Sequence, residues 1–208
     1  MRNGNILLIR HAEYFKPAPG AYYGQTDLPL TEAGEVQAHR LSDLIPRLGL
    51  KICRVYSSDL ERARRTAELA LPEIAVESIA GLRETSFGEW EGLRYADVCN
   101  LPEFKAYAAG GAPPGGEDTS AVERRVMAAL DGIMRDCDDC DVAIVAHAGP
   151  IRLMIARLLG LTAADNWRFK VDMASLSVVT LTEGYAYLSA LNVGPWLGLS
   201  LIHILRTY

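Results

Sequence analysis

Of the four histidines in the chain, two repeat one arrangement. His11 follows Ile6-Leu7-Leu8-Ile9-Arg10, and His147 follows Val142-Ala143-Ile144-Val145-Ala146. An imidazole with its ordinary pKa of ~6.5 serves as a nucleophile or an acid–base group near neutral pH. Arginines accompany these histidines: Arg10 precedes His11, and Arg62 follows the run Ser57-Ser58-Asp59. Guanidinium forks match phosphate oxygens in geometry and charge. Two imidazoles and two guanidiniums suit a compact dianion, phosphate better than carboxylate. Taken alone, the Arg10-His11 pair has a second reading, as the point where the chain returns to water. His39 falls within an amphipathic helix and His203 in the tail, and both read as structural or incidental.

The elements that carry these residues follow from hydrophobic pattern. Four consecutive aliphatic residues, 6–9, read as a strand buried on both faces, as in the middle of a parallel sheet. Residues 142–146 read the same way. In open α/β sheets, ligands gather outside the carboxyl ends of the strands. If these two strands are neighbours, their histidines face each other there. A strand over 52–56 delivers Ser57-Ser58-Asp59 to the same edge, and a helix over 60–71 begins beside it, offering free N–H groups to an anion. Thr31 reads as an N-cap. The helix behind it places Val36, Leu41, Leu44, Ile45 and Leu48 near one stripe. A short strand is expected over 74–78 and helices over 119–137 and 151–159. Two late strands, 175–181 and 185–191, joined at Glu183-Gly184, must be antiparallel. Glycines and prolines loosen 79–117, which reads as a lid insert over the sheet edge. Strands alternating with helices imply an α/β fold: a three-layer α/β/α sandwich with a mainly parallel central sheet, a late antiparallel strand and a small lid insert.

A length of 208 residues fits a single domain, placed over 1–196. A net charge of −5 argues against nucleic acid or an anionic membrane as partner. The expected partner is a small phosphorylated substrate, with a homodimer as an allowed assembly. No apolar run approaches the ~20 residues of a membrane-spanning helix, and the first strand starts too early for a signal peptide. Cytoplasmic location is the expectation. Cys53, Cys99, Cys137 and Cys140 lack the spacing of a disulfide framework. Cys137-Asp138-Asp139-Cys140 has no second ligand pair, so no metal is assigned to it. Leu199-Ser200-Leu201-Ile202-His203-Ile204 matches a translated transposase adapter, so 197–208 is set aside as a non-native tail.

Four ordered blocks resemble the histidine phosphatase (phosphoglycerate mutase-like) superfamily. They are Arg10-His11-Ala12-Glu13; Ser57-Ser58-Asp59-Leu60 with Arg62-Ala63-Arg64; Leu82-Arg83-Glu84 with Phe87-Gly88; and His147-Ala148-Gly149. The resemblance implies that His11 is the phosphoryl-accepting nucleophile. Arg10, Arg62 and His147 then bind the phosphate oxygens, and Glu84 protonates the leaving oxygen. It implies neither metal nor other cofactor. From the residues alone, Glu84 does not stand out from Glu89 and Glu91, and Glu13 ranks as a support residue. Pro17 stands where the mutases carry a phosphate-contacting Asn, which favours hydrolysis. The run Tyr23-Gly24-Gln25-Thr26-Asp27-Leu28-Pro29-Leu30 resembles a loop of the α-ribazole-5′-phosphate phosphatases of cobalamin synthesis, making Tyr23, Gly24, Gln25 and Thr26 candidate substrate-binding residues. Tyr14, Phe15, Tyr22, Tyr23 and Trp90 then form an aromatic wall for a heteroaromatic substrate, or else only pack the lid. A broad-specificity phosphatase, a phosphoglycerate mutase and a non-catalytic phosphate-binding scaffold are the alternatives.

Overall fold

The computed structural model describes residues 3–136 and 140–195. In chain order the elements are β1 (Gly4–Arg10), α1 (Glu32–Leu44), β2 (Ile52–Ser57), α2 (Glu61–Ala70) and β3 (Val76–Ser78). Then come two short helices, α3 (Tyr95–Val98) and α4 (Pro102–Ala108), followed by α5 (Thr119–Arg135), β4 (Asp141–Ala146), α6 (Ala148–Leu158), β5 (Leu176–Leu181) and β6 (Ala186–Val193). The six strands form one sheet in the order β3-β2-β4-β1-β5-β6. β1 lies parallel to β4, which lies parallel to β2, whereas β5 runs antiparallel to both β1 and β6.

β1 is central because its residues are apolar in both directions. Ile6 and Leu8 pack with Val122 and Val126 of α5 and Ile151 of α6. Leu7 and Ile9 pack on the opposite face with Ala38 and Leu41 of α1 and Ala67 of α2. Burying an aliphatic side chain of this size contributes about 1.5–3 kcal/mol, and a one-residue register slip would exchange the two faces. The β1–β4 register therefore fixes where both strands end, with Arg10 opposite Ala146.

Thr31 caps α1 by accepting the Gly34 N–H at 3.0 Å. The buried stripe of α1 is Gly34, Ala38, Leu41 and Leu44. Val36, expected on that stripe, is 52 % exposed. Two residues from both Gly34 and Ala38, it points away from the face they share. Gly34 is required where α1 crosses the Glu13 carbonyl, because a Cβ there would collide with it.

The cysteine expectation is corrected. Cys53 and Cys140 form a disulfide across 87 residues of sequence. The strands bring them together: Ile52 of β2 stands opposite Asp141 of β4, so the cysteines meet at the amino ends, away from the histidines. Sequence spacing does not reveal a pairing created by strand adjacency. Cys137 and the tail 197–208 lie outside the described residues.

Residues 79–117 contain only short helical turns, α3 and α4 among them. An aromatic cluster binds this stretch together: Trp90 stacks on Phe104 with centroids 6.0 Å apart, and Tyr107 meets Trp90, Phe87 and Tyr22. No described helix is long and apolar enough to cross a membrane.

Candidate active site

The carboxyl ends of β1 and β4 place His11 and His147 side by side, with ring centroids 5.0 Å apart. Both are buried. The His11 Nδ1 lies 2.8 Å from the Ala12 carbonyl oxygen. A proton on Nδ1 donates to that carbonyl and leaves the lone pair on Nε2. The His147 Nε2 lies 2.9 Å from the Ser58 hydroxyl. The Ser58 Oγ also accepts the Leu60 N–H; in the tautomer where its own hydrogen goes to His147 Nε2, the His147 proton sits on Nδ1.

Arg10 and Arg62 flank the pair. Arg10 Nη1 donates to the Val171 carbonyl at 2.7 Å. Arg62, 1 % exposed, donates through Nη1 to Thr26 O at 2.9 Å and through Nη2 to Gly24 O. Its guanidinium also sits over the Tyr14 ring, 5.0 Å from the centroid, while His11 meets that ring edge-on. Among the described residues, the buried side-chain polar atoms without a hydrogen-bond partner are Arg10 Nε, Arg62 Nε, His147 Nδ1 and Ser175 Oγ. Such groups are expensive to leave unpaired. Three of the four belong to the residues gathered at this strand edge, and all three can donate to an anion.

Burial first, then the charges of Arg10, Arg62 and Lys16, hold the His11 imidazole well below the ordinary histidine range. Burial, followed by His11, Arg62 and Arg10, lowers His147 likewise. Both rings are therefore neutral at neutral pH, as a nucleophilic imidazole must be. On unfolding they would regain a pKa near ~6.5. Below that pH the unfolded chain binds more protons than the folded one, so stability falls as pH drops until the lowered folded values are reached. We expect the urea midpoint to decrease between about pH 7 and about pH 5, and His147→Gln to make that decrease shallower.

The helix start expected to serve the anion is already in use: the first N–H of α2, from Glu61, donates to Asp27 at 2.7 Å. His147 is itself the N-cap of α6. The expected helix began later, at 151. Pro150, tolerated in a first turn, sits inside it.

Glu84 lies where α6 begins. Its carboxylate accepts the Thr85 N–H at 3.0 Å and faces the Gly149 N–H at 3.4 Å. It borders a cavity of about 500 Å³ whose walls include Tyr22, Phe87, Tyr107, Arg152 and Trp167. Ala148 and Gly149, which follow His147 in the chain, line it as well. Glu89 is exposed. Glu91 is consumed internally, accepting the N–H groups of Gly24, Gln25, Thr26 and Phe87 and the Thr26 hydroxyl. Glu13 accepts the Thr31 hydroxyl at 2.8 Å, bracing the start of α1.

The Tyr23–Thr26 run is not among the cavity-lining residues. Its carbonyls hold Arg62 and its N–H groups hold Glu91, while the Tyr23 hydroxyl accepts the Ala18 N–H. Of the expected aromatic wall, Tyr22 lines the cavity, Tyr14 packs on His11 and Arg62, Trp90 is buried in the lid, and Phe15 is 54 % exposed. Sequence reasoning missed Arg152, which stacks on Trp167 at 4.9 Å in the cavity wall, and the Ser58 contact to His147. Nothing local marks Arg152, whereas Ser58 belonged to a motif already noticed. Among the described residues, no three His, Cys, Asp or Glu side chains gather as a metal ion would need.

This arrangement can bind a phosphoryl group and attack it with a neutral imidazole, with the Glu84 carboxyl close enough to act on Arg10 and Arg62 by its charge. Comparison with known proteins points the same way. The chain is 35 % identical to an adenosylcobalamin/alpha-ribazole phosphatase of Salmonella typhimurium, over 90 % of this chain and 95 % of that protein. It is 33 % identical to the protein of the same name from Escherichia coli, with the same coverage. A crystal structure described as a putative alpha-ribazole-5′-P phosphatase from Escherichia coli superposes with a TM-score of 0.84 at 31 % identity, covering 93 % of this chain and 99 % of that one. The family model for the histidine phosphatase superfamily, branch 1, matches residues 6–194. The chain belongs to the histidine phosphatase superfamily.

Proposed function

We propose that the protein hydrolyses a phosphomonoester through a phosphohistidine on His11, with α-ribazole 5′-phosphate as its substrate. The observation that carries the chemistry is the burial of His11 among Arg10, Arg62 and His147, three of whose nitrogens lack partners. Arg10, Arg62 and the His147 Nδ1–H hold the phosphate oxygens and balance the charge that spreads over them. The His11 Nε2 attacks phosphorus while the ester P–O bond breaks. Glu84 gives its proton to the departing oxygen, since an alkoxide leaves poorly without one. Water then attacks the phosphohistidine, Glu84 takes its proton, and inorganic phosphate departs from neutral His11.

Two things support the substrate. The cavity beside Glu84 is large enough for a nucleoside-sized leaving group, and its Tyr22, Phe87, Tyr107 and Trp167 side chains suit a flat heteroaromatic ring. The curated relatives at 33–35 % identity carry that activity in their names. In this reading Tyr23, Gly24, Gln25 and Thr26 serve the substrate indirectly, by holding Arg62. A cytoplasmic homodimer remains part of the proposal, although reducing compartments disfavour a disulfide such as Cys53–Cys140.

The test compares kcat/KM for α-ribazole 5′-phosphate, 3-phosphoglycerate and p-nitrophenyl phosphate, with and without EDTA. We expect all turnover to resist EDTA and α-ribazole 5′-phosphate to be preferred. Isomerisation of 3-phosphoglycerate, or a preference for it, would overturn the substrate. Loss of activity in EDTA would overturn the mechanism.

A further inference from the structure

The segment carrying Glu84 is held by Arg125 and by Glu117, which also lines the cavity beside Glu84. Arg125, on α5, donates through Nη1 to Gly81 O at 3.0 Å and Arg83 O at 2.6 Å, and through Nη2 to Glu84 O at 2.9 Å. The same guanidinium pairs with both carboxylate oxygens of Glu117, at 2.7 and 2.8 Å. Glu117 accepts the Ser86 N–H at 2.9 Å and the Gln25 Nε2 at 3.2 Å, and that amide also faces Glu84 O at 3.2 Å. From the other side, Arg83 grips Asp59 with two hydrogen bonds, at 2.7 and 2.6 Å.

One half-buried ion pair therefore ties down the carbonyls of residues 81, 83 and 84 and the N–H of residue 86. These groups flank Glu84 on both sides. Burial alone would raise the Glu117 carboxyl, but the hydrogen bonds from Arg125, Ser86 and Gln25 bring it below its ordinary range, so the pair stays charged. The Glu84 side chain itself makes few bonds, so its direction is set by the main chain beneath it.

We propose that the Arg125–Glu117 pair, bridged to Gln25, is the positioning element that aims Glu84 at the leaving oxygen. This rests on the reading of Glu84 as the proton donor. Misplacing a reacting group by ~1 Å costs on the order of 10²-fold in rate. The loss in kcat/KM must depend on the leaving group: an alkoxide needs the proton, whereas p-nitrophenolate departs with little help. Merely structural damage would instead depress both reactions together.

The experiment measures kcat and KM on β-glycerol phosphate and p-nitrophenyl phosphate for R125M, E117Q, E84Q and the double variant R125M/E84Q. R125M should lower kcat/KM, which reports phosphoryl transfer to His11 and not the later hydrolysis shared by both esters, by about 10²-fold on the alkyl ester and by less than about tenfold on the aryl ester. The double variant should be no slower on the alkyl ester than E84Q alone, because a misaimed donor and an absent one are the same defect. Equal losses on the two esters, or additive losses in the double variant, would overturn the proposal. If E84Q itself shows no leaving-group dependence, the assignment of Glu84 falls, and the positioning role with it. Should R125M fail to fold by circular dichroism, E117Q decides by the same criteria, since it keeps the side-chain size and an oxygen for the Ser86 N–H while weakening the grip on Arg125.

Discussion

His11→Ala should leave the protein folded and lower kcat on p-nitrophenyl phosphate by on the order of 10⁴-fold or more. The reason is geometric. The second imidazole cannot take over in the same way, because the His147 Nε2 is engaged with Ser58. Among the described residues no cysteine competes either: Cys53 and Cys140 are bonded to each other at the opposite end of the sheet, and Cys99 follows α3 in the lid stretch. Without His11 the pocket binds phosphate and does nothing to it. Rapid acid-free quenching of the native enzyme should trap an acid-labile, base-stable phosphoryl group, which His11→Ala should lack. Turnover surviving in the variant would disprove the assigned nucleophile.

Arg62→Ala should damage both activity and stability. On the activity side it removes a buried cation from the proposed phosphate site, and loss of a single preorganised donor to developing charge costs about 10²–10³-fold. On the stability side the carbonyls of Gly24 and Thr26 lose their donor. A buried acceptor left unpaired costs about 1–3 kcal/mol, so a loss of several kcal/mol is expected, visible in the urea midpoint. Arg62→Lys separates the two effects. It keeps the charge, but a single ammonium cannot span both carbonyls and the phosphate. Its activity should fall between wild type and alanine, with much of the stability still lost. If Arg62→Ala were as stable as wild type, the loop would have some other anchor.

The central strands were legible because burial on both faces writes an uninterrupted aliphatic run, in β1 and β4 alike. Their adjacency was not written in either strand, yet paired histidines at matching ends gave the hint that the parallel register confirms. Thr31 was readable because a cap acts over three residues. What escaped depends on distant partners. Asp27 takes the first N–H of α2 from 34 residues away, and Arg125 grips the Glu84 segment from 41 residues away. The Cys53–Cys140 bond likewise exists only because β2 and β4 lie together. Glu84 could be distinguished from Glu91 only by resemblance, since both are acids in one loop; the structure separates them by what their oxygens touch.

The Gly24–Thr26 loop has a broader consequence. Its N–H groups turn to the Glu91 carboxylate, while the carbonyls of Gly24 and Thr26 turn to Arg62. The peptide units thus stand like a polarised layer between two opposite plates. Glu91 and Arg62 attract through this layer without touching, and their mutual field orients it. Direct contact would have spent the guanidinium on an internal carboxylate and weakened its pull on a phosphate. With the main chain as spacer, the arginine is anchored and partly compensated while keeping a face for substrate. The spacer also has a fixed thickness: a Cβ on Gly24 would drive into the Thr85 carbonyl, so the gap admits bare backbone there and nothing wider.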